Sequence, residues 1–111
     1  MLKYHTKEGV SIERLHPTMR CSLIFIDKIY RDFGYLLTIT STDDGIHKKG
    51  SLHYQGLAID IRTRHIDSHD LEMVYKNIKE KLKEFDVRFQ TILEETHIHV
   101  EFDRRYENVR T

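Results

Sequence analysis

Residues 51–62 read Ser51-Leu52-His53-Tyr54-Gln55-Gly56-Leu57-Ala58-Ile59-Asp60-Ile61-Arg62, and two patterns meet in them. From Ala58 to Arg62 the chain alternates, with Ile59 and Ile61 on one side and Ala58, Asp60 and Arg62 on the other, because successive side chains of a strand point to opposite faces. Just ahead of it, Gly56 permits a sharp backbone course between His53 and Asp60. The stretch therefore predicts a strand with an apolar side turned to a core and a polar side that carries a carboxylate.

Working outward toward the C-terminus, Ser68 is a plausible cap for a helix in which Leu71, Val74, Ile78, Leu82 and Phe85 form an apolar stripe. Two alternating runs follow, Val87 to Leu93 and Thr96 to Phe102, with a short interruption at Glu94 and Glu95, and they predict an antiparallel hairpin. In the second run Ile98, Val100 and Phe102 face one way, while His97, His99 and Glu101 face the other. Toward the N-terminus, Leu36 to Ser41 suits a buried strand that runs into a polar loop from Thr42 to Ser51. Before it, Met19, Leu23, Ile26, Tyr30 and Phe33 recur at helical spacing behind Pro17, and Gly34 can supply a left-handed stop.

Helix, strand, strand, helix, strand, strand is the order of an α+β domain, with a mainly antiparallel sheet and its helices on one face. The other face would carry Asp60 and the two late histidines. At 111 residues the chain is expected to form a single domain over 1–111. Its 18 basic and 18 acidic residues cancel, so the electrostatic footprint of a nucleic-acid binder is missing. No stretch is apolar for long enough to span a bilayer, and no secretory leader is visible. A soluble monomer is expected, without nucleic-acid or membrane partners, either cytoplasmic or phage-encoded and released by other means. Cys21 lies in an apolar helical run and is expected to be a buried thiol.

Eight histidines direct attention to metal chemistry. His53, Asp60 and one histidine of the His97-Ile98-His99 pair would offer two imidazole nitrogens and a carboxylate, a common catalytic zinc set that leaves a fourth position for water. Zinc lowers the pKa of such water to about 7, and a nearby carboxylate can move its proton. Glu94 and Glu95 are the nearest candidates in sequence. Simpler readings exist for each residue: a hydrogen-bonded His53–Asp60 pair, exposed histidines on an open sheet, and a charged hairpin turn. His5, His16, His65 and His69 fit surface or capping positions, while Tyr54 and Gln55 are candidates to line a cleft.

Ser51, His53, Gly56, Ala58 and Asp60 complete the pattern SxHxxGxAxD, and His97 and His99 give HxH. Together they resemble the zinc D-alanyl-D-alanine carboxypeptidase and L-alanyl-D-glutamate endopeptidase family, peptidoglycan metallopeptidases whose fold is shared with the hedgehog signalling domain. The likeness covers roughly residues 17–103 in element order, although only the two motifs are specific. It implies Zn2+ held by His53, Asp60 and His99, hydrolysis of peptidoglycan stem peptides, and catalytic roles among Glu94, Glu95 and His97. An ExxH frame would instead make His97 the ligand; both frames point to Glu94, whereas strand alternation favours Glu95. In the hedgehog branch the same fold is a non-catalytic zinc module. Ahead of the motif the family usually carries Thr-Ser-Gly-x-Arg, and here Thr40-Ser41-Thr42-Asp43-Asp44 lacks that arginine. His47, Lys48 and Lys49 are the nearest cations in the following loop.

Overall fold

Pro17 opens the first helix, α1 (Pro17–Asp32), at a position where its missing N–H costs nothing. His16 caps it, its Nδ1 accepting from the Thr18 N–H at 3.2 Å. Gly34, at φ +87°, ends it: the Gly34 N–H donates to the Arg31 carbonyl and the Tyr35 N–H to the Tyr30 carbonyl, both at 2.9 Å. These paired bonds form the Schellman stop that needs a left-handed residue. Met19, Leu23, Ile26 and Tyr30 are fully buried along one stripe. Cys21 is exposed, contrary to the expectation of a buried thiol. At about 100° per residue it stands roughly 200° round the helix from Met19.

The computed structural model describes residues 4–43 and 52–105. Besides α1 it contains β1 (His5–Thr6), β2 (Thr38–Ser41), β3 (Ala58–Arg62), α2 (Ser68–Phe85), β4 (Phe89–Leu93) and β5 (His97–Phe102), with a 3-10 turn over Leu52–Gln55 ahead of β3. The five strands form one sheet in the order β1-β2-β3-β5-β4. The β1–β2 pair is parallel and the other three are antiparallel, so the fold is α+β with a mixed sheet. Among the described residues no helix is long and apolar enough to cross a membrane.

Both helices cover one face. Val74, Ile78 and Leu82 of α2 join the α1 stripe in a core with Ile59 and Ile61 of β3, Phe89 of β4, and Ile98, Val100 and Phe102 of β5. The Tyr30 hydroxyl, buried with them, donates to the Arg62 carbonyl at 2.7 Å, which satisfies its polar end. Burial of each such aliphatic side chain contributes roughly 1.5–3 kcal/mol. The alternating burial of β5 therefore fixes its register, because a slip of one residue would drive the imidazoles into the core.

Several boundaries differ from those the sequence predicts. The two-residue β1 was not anticipated. β4 begins at Phe89 instead of Val87 because the Asp86 carboxylate holds Arg88 in a turn, accepting from its backbone N–H at 2.9 Å and from its guanidinium at 2.7 and 3.0 Å. At the N-terminus of α2 the capping position belongs to Asp67, and Ser68 is the first helical residue. The Tyr35 hydroxyl accepts from the Asp67 N–H at 3.1 Å and donates to Asp70 Oδ2 at 2.5 Å, setting the helix start one residue early. Phe85 is 43% exposed, although its ring meets those of Phe25 and Phe89.

Candidate metal centre

The open face of the sheet is where the polar positions of β3 and β5 meet. Asp60 pairs with His99 and Arg62 with His97 across the antiparallel β3–β5 ladder, which places all four side chains on the side away from the helices. His53 reaches the same place from the 3-10 turn, held there by Gly56 at φ +69°. A Cβ on Gly56 would lie 2.2 Å from the Arg14 carbonyl oxygen, and the His16 N–H donates to the Gly56 carbonyl at 2.9 Å. Glycine here lets the turn press against the segment before α1.

Three side chains converge. His53 Nε2 is 3.4 Å and His99 Nδ1 2.9 Å from Asp60 Oδ1, and the ligand atoms of the three all lie within 4.8 Å of one another. Donor atoms arranged tetrahedrally at ~2.0–2.1 Å from a metal stand about 3.3 Å apart, so the spacing approaches that of a bound ion. Among the described residues this is the only group of three or more such side chains that could hold one.

The remaining nitrogens are anchored as metal-ligating histidines require. His53 Nδ1 lies 2.7 Å from the Thr42 carbonyl oxygen; a carbonyl can only accept, so Nδ1 carries the proton and the lone pair of neutral His53 is on Nε2. His99 Nε2 donates to Glu101 Oε1 at 2.8 Å, which leaves Nδ1 to face Asp60. The carbonyl of Thr42 arrives there through a bulge in β2. Ile39 pairs with Ile61 but Ser41 pairs with Asp60, so Thr40 is an extra residue, and such a bulge re-aims the chain that follows it. The Thr42 hydroxyl donates to the Ser11 carbonyl at 2.6 Å and ties down this segment.

No protein-family model and no curated protein matches the chain. The functional reading therefore rests on the residues themselves.

Charge in the cluster is tightly coupled. Burial would raise the Asp60 carboxyl, but hydrogen bonds with His53 and His99, together with the charges of His53 and His97, hold it well below the usual carboxylate range. Burial would lower His99, yet its hydrogen bonds to Asp60 and Glu101 prevail and raise its pKa from 6.5 to about 9.

The sequence candidates do not all join the trio. His97 stands beside it, with Nε2 3.6 Å from Asp60 Oδ1 and Nδ1 3.0 Å from the Thr96 hydroxyl. Glu94 and Glu95 are exposed at the hairpin tip, where the Glu94 N–H donates to the His97 carbonyl at 2.8 Å. Glu95, together with Asp60, His97, Lys7, Arg62 and Arg64, lines an open cleft of about 460 Å³; Glu94, Tyr54 and Gln55 are not on its wall. Ser51, Asp44, His47, Lys48 and Lys49 lie outside the described residues. Sequence reasoning placed Glu101 on the histidine face but gave it no role, and it did not single out the Thr42 carbonyl. The alternation His97-x-His99-x-Glu101 was the available signal for Glu101, whereas no sequence signal marks a backbone carbonyl.

Proposed function

We propose that this chain is a zinc-dependent peptidase of the hedgehog/DD-peptidase type that hydrolyses peptide bonds of peptidoglycan stem peptides. The observation that carries the reading is the convergence of His53, Asp60 and His99 within 4.8 Å, with the outward nitrogen of each histidine already held by a hydrogen bond. Two imidazoles and one carboxylate favour zinc over the hard cations calcium and magnesium, which take oxygen ligands. Zinc at such a set supplies Lewis acidity and lowers the pKa of water to about 7.

The chain's own groups supply the rest. Glu95, on the cleft wall with Asp60 and His97, takes a proton from water and returns it to the leaving amine. His97, whose Nε2 faces the cluster while Thr96 holds Nδ1, stabilises negative charge on the carbonyl oxygen. Glu94 shapes the hairpin.

The test is mass spectrometry of purified peptidoglycan and synthetic stem peptides after incubation with zinc-loaded protein, beside a chelated control. A zinc-dependent product is expected, with Glu95→Gln losing product while retaining zinc, and with His53→Ala, Asp60→Ala and His99→Ala losing both. Full activity in His99→Ala would overturn that ligand assignment. One observation favours a second reading, a non-catalytic zinc module: among the described residues neither the Glu94 nor the Glu95 side chain has a hydrogen-bond or ion-pair partner. Stoichiometric zinc with no product from any wall peptide would establish that module.

A further inference from the structure

Several arginines among the described residues are held in ion pairs. Arg31 pairs with Asp27 at 2.9 Å, Arg88 with Asp86 at 2.7 Å and Arg105 with Asp103 at 2.6 Å. By contrast Arg62, Arg64 and Lys7, which line the cleft beside the trio, have no ion-pair partner among the described residues. Their side chains outnumber the two carboxylates on the same wall, Asp60 and Glu95, and Asp60 is engaged by His53 and His99. An excess of cations on one concave wall makes a site for an anion.

Arg62 is the most constrained of the three. It is half-buried, it sits opposite His97 in the ladder, and its carbonyl is pinned by the Tyr30 hydroxyl at 2.7 Å. Two residues of strand separate it from Asp60 on the same face, about 6–7 Å. That backbone spacing, about one substrate residue, sets the Arg62 side chain next to the trio on the wall of the same cleft. Its planar fork suits a carboxylate bidentately, whereas Lys7 and Arg64, both exposed, add charge at the rim.

We infer that Arg62, reinforced by Arg64 and Lys7, is a specificity subsite for a carboxylate lying within about one residue of the scissile bond. The inference rests on the peptidase reading for its reaction, but the anion site itself is a property of the cleft wall. The carboxylate can be the free C-terminus of the substrate or the free α-carboxylate of a γ-linked glutamate, since both present the same group to Arg62.

The experiment uses the full chain loaded with zinc and two matched pairs of peptides. One pair is an N-acetylated D-alanyl dipeptide as C-terminal acid and as amide; the other is an L-alanyl γ-linked glutamate peptide with its α-carboxylate free or amidated. Binding is read by NMR titration and turnover by kcat/KM, in the wild type, Arg62→Gln and Arg62→Lys, each checked for zinc content and fold. The wild type should prefer one acid over its amide by about tenfold or more, the preference should vanish in Arg62→Gln, and Arg62→Lys should keep part of it. The pair that shows the preference identifies the source of the carboxylate. Acid-selective binding that depends on Arg62 but comes without hydrolysis would uphold the subsite and sink the peptidase reading. Hydrolysis with no acid preference would do the reverse. Equal binding of acids and amides, no binding of either, or a preference that survives Arg62→Gln overturns the subsite.

Discussion

His99 is the residue on which the chemistry of the centre turns, because both of its nitrogens face carboxylates. With Asp60 at 2.9 Å and Glu101 at 2.8 Å the ring is held as an imidazolium, and its pKa rises to about 9. The folded value lies above the unfolded one, so in the metal-free protein this group stabilises the fold fully below pH ~6.5, and the contribution is lost as pH rises through about 9. A metal must displace the proton on Nδ1. Zinc affinity should therefore climb as pH rises toward about 9 and then flatten. Calorimetry in buffers of differing ionisation enthalpy, at pH 7.5, should count fewer protons released per zinc in Glu101→Gln than in the wild type, since loss of that carboxylate lowers His99. Equal counts would show that Glu101 does not set the protonation of the ligand.

At the level of elements, the turn from His53 to Asp60 carries the strictest backbone demand. Gly56→Ala places a Cβ against the Arg14 carbonyl and adds the ~1–2 kcal/mol cost of a left-handed alanine, so it should destabilise the protein by about 2 kcal/mol or more. A thermal melt should fall by roughly 8 °C or more, with weaker zinc binding, and an unchanged melt would mean that the turn relaxes freely. This turn was legible in the sequence because Gly56 interrupts two clear patterns, and β3 was read with its observed bounds because Ile59 and Ile61 alternate with polar neighbours. The start of α1 at Pro17 and its stop at Gly34 were legible for the same kind of reason, since each residue has its own backbone signature. What escaped was structure that depends on a partner. His5 and Thr6 become β1 only by pairing with Thr38 and Ile39, and the extra residue Thr40 is a bulge only relative to β3. The motifs nominated His53, Asp60 and a late histidine, and the resemblance favoured His99 over His97; the physical reason for that grouping, Asp60 standing opposite His99, lies in the cross-strand register.

Across the whole molecule, the centre joins the middle of the sheet to a turn braced on the segment before α1. An ion bound only by the folded state adds stability by mass action, about 2.7 kcal/mol when free zinc is ~100 times Kd. Chelation should accordingly lower the melting temperature of the wild type and leave that of His99→Ala where it was; identical melts of the wild type with and without chelator would exclude a folding-coupled metal. The cleft that holds Glu95 and Arg62 draws on β2, β3 and the hairpin tip, so its cations and its candidate base are positioned by the same ladder that aligns Asp60 with His99. The strand order adds a temporal consequence. β5 comes last among the strands in the chain yet lies between β3 and β4 in the sheet, and it brings His99, Glu101 and three core side chains at once. During synthesis on the ribosome, the earlier strands have no centre to close around until residues 97–102 have emerged. Of the trio only His53 and Asp60 have been made before that moment, so an ion that needs all three side chains would be held late, together with the closing of the core.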